Sequence, residues 1–382
     1  MPKILKEVKV SKENEDDEKV LSPQDQVAAL LKANKNDHFN FEEDNYYKVP
    51  CSSLIANSIM NGGLASGAHR AIGNASGGKT SCSLDFMFHF FKRGIGHRGV
   101  YIKSEGRLSP EVQARSGIKF TNKIEEWEDG TCFVLESNIY EFVFSFIGDL
   151  IRNNPTKCKY FFIIDSMDMM IKRDDCIKSM EDSNQVAGGA LLGSTFMKKT
   201  AAALQKRGHI SIFISQVRDS IRIDPRAKGD SNKQGKAGGG HVWEHAADWV
   251  LDFSARYQDD IIREIEGDKN SKPIGHYCKI NIVKSNNETY GQEIRYPIKY
   301  GRTGGTSVWV EKEVADMALM WNLVVKDKSS YYWKEDLYKE LTDKFGADIP
   351  EKFVGIKKYM AYFDEKKDVV DFLYKKFQDL LK

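Results

Sequence analysis

The chain has 382 residues, 41% hydrophobic and 29% charged, enough for two or three folded units at ~150 residues per domain. Its 30 glycines and 9 prolines exclude a collagen-like or low-complexity polymer, and 57 Lys+Arg against 55 Asp+Glu leave a formal charge of +2, so any nucleic-acid contact must come from local basic patches. Six scattered cysteines with no C-x-x-C pair exclude a zinc ribbon and predict reduced thiols in a cytoplasmic setting. No run of ~18 apolar residues occurs, so the chain is expected neither to span nor to cross a membrane.

In chain order, residues 1–22 are dense in both charge signs and predict a solvated, unfolded arm. Ser22-Pro23 opens a short amphipathic helix, with Ser22 as N-cap and Val27, Leu30 and Leu31 on one face. A helix that short needs a partner surface, here expected on another copy of the chain. Next, His38-Phe39-Asn40-Phe41 suits a strand added to the edge of another sheet through Phe39 and Phe41; packing on its own domain is equally open. Apolar strand-length runs at 99–104, 131–135, 159–165, 210–216 and 247–253 then alternate with helical patterns at 79–91, 139–152 and 187–206. Unbroken apolar runs such as Phe161-Phe162-Ile163-Ile164 predict strands covered on both faces, hence an α/β, doubly wound, mostly parallel sheet. Residues 275–284 and 292–300 read as hairpin strands closing one edge. The expected organisation is an arm with helix and strand at 1–44, a core at 45–325 and a small helical subdomain at 326–382, where 13 Lys+Arg face 12 Asp+Glu.

Gly73-Asn74-Ala75-Ser76-Gly77-Gly78-Lys79-Thr80 matches G-x-x-x-x-G-K-[ST] and, with Ser81, opens a helix. In such a loop, backbone N–H groups cradle phosphates, Lys79 reaches the β- and γ-oxygens and Thr80 offers a hydroxyl to Mg²⁺. The strand before it is interrupted by His69 and Arg70, which weakens its prediction. The 159–165 strand ends in Asp165, a carboxylate suited to a magnesium-bound water at the carboxyl edge of a sheet. Glu105, ending the strand after the first helix, is placed to orient a water for attack, though a surface glutamate is the plain alternative. Gln216 ends another apolar strand and can sense a γ-phosphate without adding charge; a turn glutamine is equally simple.

Beyond it, residues 218–240 carry Arg218, Arg222, Arg226, Lys228, Lys233 and Lys236 against Asp219, Asp224 and Asp230, a net +3, and end in Gly238-Gly239-Gly240. A connection of that length and charge predicts a segment that tracks a phosphate backbone. His241-Val242-Trp243-Glu244-His245 spells the inverted zinc-protease pattern H-x-x-E-H, but nothing supplies a third ligand.

Taken together these motifs resemble the RecA family of recombinases, in particular the UvsX-type recombinases of T-even-like phages. The resemblance includes Ser104-Glu105-Gly106-Arg107-Leu108-Ser109-Pro110, Ile164-Asp165-Ser166, Ser215-Gln216-Val217-Arg218 and Val283-Lys284-Ser285, and runs to Tyr331-Tyr332-Trp333. It implies a RecA-like ATPase core using ATP and Mg²⁺, with Glu105 as base, Gln216 as switch and Lys284 acting on the γ-phosphate of the neighbouring subunit. It also implies DNA contacts from 218–240 and from 172–188 with Gly188 and Gly189. The expected assembly is a helical filament on single-stranded DNA that pairs it with homologous duplex, aided by single-strand-binding and mediator proteins, in the host cytoplasm of a phage. Among its departures, 172–188 is slightly acidic, Asn286 replaces a second basic residue after Lys284, and Val112 stands where an aromatic ring would stack on adenine. A ring-shaped helicase motor and a non-catalytic loading accessory share the phosphate loop and remain alternatives.

Overall fold

The computed structural model describes residues 22–35, 37–106, 108–178, 188–218, 236–237, 241–265 and 267–380. The chain divides into two compact units, Met1–Glu43 and Asp44–Lys382. The expected unfolded arm lies outside the described residues. In the first unit, helix α1 (Pro23–Ala33) starts as the sequence predicts: Pro23 occupies the first turn and the Ser22 hydroxyl accepts from Asp25 N. No residue of α1 is buried, and Val27 and Leu30 are 54% and 64% exposed. The strand expected at 38–41 is not formed within the chain. His38 Nε2 donates to Leu31 O at 2.7 Å and Glu42 N bonds Phe39 O, closing a turn in which the His38 and Phe41 rings meet edge to face.

The second unit begins with β1 (Lys48–Val49), α2 (Leu54–Ile59) and β2 (Leu64–Ala65), followed by β3 (Gly67–Gly73), α3 (Lys79–Phe91) and β4 (His97–Lys103). Next come α4 (Pro110–Ser116), β5 (Lys119–Thr121), β6 (Thr131–Leu135), α5 (Tyr140–Arg152), β7 (Lys159–Asp165), α6 (Arg173–Ile177), α7 (Gly188–Lys206) and β8 (Ile210–Ile214). A short ribbon of β9 (Val217–Arg218) and β10 (Lys236–Ala237) precedes α8 (His241–Ala246), β11 (Trp249–Phe253), β12 (Ile261–Arg263), β13 (Pro273–Lys284) and β14 (Glu293–Lys299). The chain finishes with α9 (Val310–Met320), β15 (Val324–Asp327), β16 (Ser330–Trp333), α10 (Glu335–Phe345), β17 (Lys352–Val354), α11 (Ile356–Glu365) and α12 (Lys367–Leu380).

The central sheet runs β12-β13-β11-β3-β8-β7-β4-β6-β5, with β14 also on β13. Pairing is parallel from β11 to β5 and antiparallel around β13. This is the doubly wound, RecA-like α/β fold expected. Six of the seven β7 residues are buried, as a strand covered on both faces requires. In β3 all seven residues are buried, including His69 and Arg70, so the polar interruption does not mark a weak strand. On α3, Phe86 and Phe90 are fully buried, and Phe90 meets Phe161 of β7 with ring centroids 5.4 Å apart. Each such ring contributes ~2–3 kcal/mol of burial and fixes the helix that follows the phosphate loop against the sheet.

Residues 326–382 are not purely helical: β15, β16 and β17 form an antiparallel sheet among α10, α11 and α12. Their core is shared with Leu54 of α2 and with Val314, Ala315, Met317 and Ala318 of α9. The polar link in this region is Glu313. Its fully buried carboxylate accepts from Ser53 Oγ at 2.5 Å, Leu54 N at 3.0 Å and Ile55 N at 3.2 Å, supplying acceptors at the N-terminus of α2. Burial pushes this carboxyl up to about 7, while the bonds from Ser53, Leu54 and Ile55 hold it back. The folded state therefore holds the proton more tightly than the unfolded chain. The resulting stability is complete below the ordinary glutamate value of 4.5 and is lost as pH rises through about 7. In urea titrations wild type is expected to exceed Glu313→Ala by roughly 2–4 kcal/mol at pH 5 and by less at pH 8. A difference that is zero, or the same at both pH values, contradicts this account.

Candidate active site

The phosphate loop joins the carboxyl end of β3 to α3. Gly73 has φ of 129°, and a Cβ there would lie 2.2 Å from Phe253 O; Gly78 has φ of 107°. These two positions require glycine. Lys79 is only 7% exposed, and its ammonium donates to Gly73 O at 2.8 Å and Asn74 O at 2.7 Å, curling back over the loop it follows.

Asp165, at the end of β7, is the meeting point. Its Oδ2 accepts from Thr80 Oγ1 at 2.6 Å and from Tyr101 OH at 2.7 Å. Burial first, and then the adjacent carboxylate, keep the Tyr101 phenol protonated, so it serves as a donor. The Asp165 carbonyl accepts from Ser104 N at 3.0 Å and Glu105 N at 3.2 Å, tying the end of β4 to the end of β7. The Asp165–Ser166 peptide is cis.

Glu105 and Gln216 are brought together from different strands: Gln216 Nε2 donates to Glu105 Oε1 at 2.9 Å. Gln216 N donates to Asp168 Oδ2 at 2.6 Å, which anchors the residue on the turn after β7. One residue further on, β9 pairs antiparallel with β10, setting Arg218 opposite Lys236 and Val217 opposite Ala237. The two ends of the basic segment are thus clamped next to Gln216. Arg222, Arg226, Lys228 and Lys233 lie outside the described residues.

Lys284 ends β13, and its ammonium donates to Glu244 O at 2.9 Å and His245 O at 2.7 Å, at the carboxyl end of α8. Asn286 donates to Asp248 Oδ1 at 2.7 Å. Within H-x-x-E-H, the Glu244 carboxylate faces Arg70 at 3.7 Å, and among the described residues no cluster of three or more His, Cys, Asp or Glu is arranged for a metal. Gly189 lies in the first turn of α7, where a Cβ would come within 2.8 Å of the Tyr140 ring, so α7 needs the small residue to approach α5.

A cavity of ≈ 550 Å³ opens at this edge, lined by the phosphate loop, Glu105, Asp165 and Gln216 together with Val112, Arg115, Arg256 and Tyr300. Its size suits a nucleotide. Thr80 and Asp165 form an all-oxygen donor pair beside the loop, as a magnesium ion requires. The sequence reading found Val112 but missed Arg115, Arg256, His276 and Tyr300. Arg256 is within 3.5 Å of Ser76 O and 3.4 Å of the Tyr300 hydroxyl, bridging the loop to the far wall. Burial and then Arg256 push His276 down to about 4, leaving a neutral imidazole beside the Tyr300 ring. Asp252, on β11, is raised by burial and lowered by Lys79, which places it within the electrostatic reach of the loop lysine. The available signal was position: Arg256 and Tyr300 each follow the end of a strand at this side of the molecule.

Comparison with known proteins agrees with this geometry. A family model described as the RecA N-terminal domain matches residues 42–304, which include the phosphate loop, Glu105, Asp165, Gln216 and Lys284. Similar proteins include the protein RecA of Frankia alni, 26% identical over 310 residues covering 79% of this chain and 80% of the relative. The protein RecA of Bifidobacterium longum is 27% identical over 301 residues, 77% of this chain and 66% of the relative. That of Enterococcus faecalis is 24% identical over 315 residues, 81% of each. With the family model spanning well over half of its length, the chain belongs to the RecA family.

Proposed function

We propose that this protein is a DNA-dependent ATPase of the RecA type that assembles into helical filaments on single-stranded DNA and exchanges strands with homologous duplex. The observation that carries the reading is the convergence of Lys79, Thr80, Asp165, Glu105 and Gln216 on one cavity, with the base of a basic segment two residues from Gln216. Lys79 and the loop N–H groups bind and orient the triphosphate, and Glu105 accepts the proton of the attacking water. Thr80 and Asp165 would hold a magnesium ion, which when bound offsets the charge on the phosphate oxygens. Gln216 hydrogen-bonds to Glu105 and so links nucleotide state to the 218–240 segment. Lys284 acts on the neighbouring subunit's nucleotide. Val27, Leu30 and Leu31 of α1, with Phe39 and Phe41 of the turn after it, pack on an adjacent copy; Val27, Leu30 and Phe41 are exposed. The 172–188 segment with Gly188 and Gly189 forms a second DNA contact. A phage origin of UvsX type, action in the bacterial cytoplasm and cooperation with single-strand-binding and mediator proteins complete the proposal, and rest on the sequence motifs. No described helix is long and apolar enough to cross a membrane.

Steady-state hydrolysis with single-stranded DNA tests the site. Lys79→Ala is expected to lose about 10²–10³-fold in kcat/KM, and Glu105→Gln a similar factor in kcat with ATP binding retained. Turnover within a few-fold of wild type after either change removes that residue from the site. Replacing Arg218, Arg222 and Arg226 together by Ala is expected to weaken oligonucleotide binding and reduce the slope of log K against log[salt] by about 2. An unchanged slope excludes these side chains as phosphate contacts.

A further inference from the structure

Tyr101 lies in β4, in register with Val134 of β6 and Ile163 of β7, and is fully buried. Alternation along the strand puts Gly99 on the same face, where a Cβ would meet Phe91 and Met87 of α3, so Tyr101 lies on the side of the sheet that α3 covers. Asp165 follows Ile163 by two residues and shares its face, and the phenol spans that diagonal to donate to Asp165 Oδ2 at 2.7 Å. Packing alone needs only the ring: in the apolar cluster that contains Tyr101, Phe86, Phe90 and Phe161 are buried without a hydroxyl. What the tyrosine adds is its bond to Asp165.

The same oxygen accepts a second hydroxyl, Thr80 Oγ1, at 2.6 Å. A carboxylate oxygen has two lone pairs, and these two donors use both. Asp165 Oδ1 takes no hydrogen bond among the described residues, so it is the one oxygen this carboxylate has left to offer a cation. Thr80 gives its proton to Asp165 and keeps lone pairs of its own. Contact through a single carboxylate oxygen suits magnesium, which demands near-octahedral geometry and keeps several waters. Calcium is larger, takes more oxygens and readily accepts both oxygens of one carboxylate.

We propose that Tyr101 is a positioning residue for metal selectivity, whose hydroxyl occupies Asp165 Oδ2, confines the carboxylate to one-oxygen contact and thereby favours magnesium over calcium at the nucleotide site. This rests on the function proposed above. Loss of the hydroxyl frees a lone pair on Oδ2 and the rotation of the carboxylate, so that both oxygens become open to a larger cation.

The test is the binding of a fluorescent, slowly hydrolysed ATP analogue to the full-length protein, titrated with Mg²⁺, titrated with Ca²⁺, and measured in EDTA. Tyr101→Phe deletes one oxygen and keeps the ring. It is expected to raise the half-saturating Mg²⁺ concentration about tenfold and the half-saturating Ca²⁺ concentration by about threefold or less, as loss of a partner that orients a metal-binding carboxylate does. Analogue affinity in EDTA and the urea midpoint are expected to match wild type. Tyr101→Met fills the space with a flexible side chain that also lacks the hydroxyl, and is expected to shift the two metals in the same way. An unchanged preference for Mg²⁺ over Ca²⁺ in either folded variant, or equal weakening of both metals, overturns the role of Tyr101 while leaving the proposed function standing. A wild-type protein whose nucleotide affinity ignores divalent cations overturns the Thr80–Asp165 metal site on which both rest.

Discussion

The site depends on one carboxylate fixed by parallel strand pairing. Lys103 of β4 sits beside Asp165 of β7 in register, and the Asp165 carbonyl takes the next two backbone N–H groups, those of Ser104 and Glu105. The same residue's side chain holds Thr80 from the phosphate loop and Tyr101 from within β4. Sheet register therefore sets where Glu105 leaves the strand relative to the 73–80 loop. Held by the buried Asp165 at the sheet's carboxyl edge, these positions are fixed in the way the proposed phosphoryl transfer would use.

Much of this was legible because it is local. The phosphate loop is defined by residue types at fixed offsets. The strands at 131–135 and 159–165 have the predicted bounds because their apolar runs end sharply at polar residues. Capping chemistry placed the start of α1. Non-local features were not legible. Arg70 looked like a flaw in its strand because its ion-pair partner, Glu244, is distant in sequence. The turn at 38–41 hides behind an alternation that suits a strand, because a single strand has no ladder until a second chain supplies one. Strands β15 to β17 are each three or four residues long, too short for a period-two pattern to rise above the charged helices around them. Arg256 and Tyr300 matter through where the hairpin folds back, and no motif marks that.

The basic segment has a physical logic of its own. Pairing of β9 with β10 closes it at its base, so the chain between them leaves and returns at one point beside Gln216.

The central claim is that nucleotide at this sheet edge governs how the chain grips single-stranded DNA in an assembly of copies. Electron microscopy of the purified protein on single-stranded DNA with a non-hydrolysable ATP analogue tests it most directly. The account predicts continuous helical filaments, with nucleotide density at the 73–81 loop and the strand running past 218–240. Closed rings, or particles that leave the DNA bare, would contradict it.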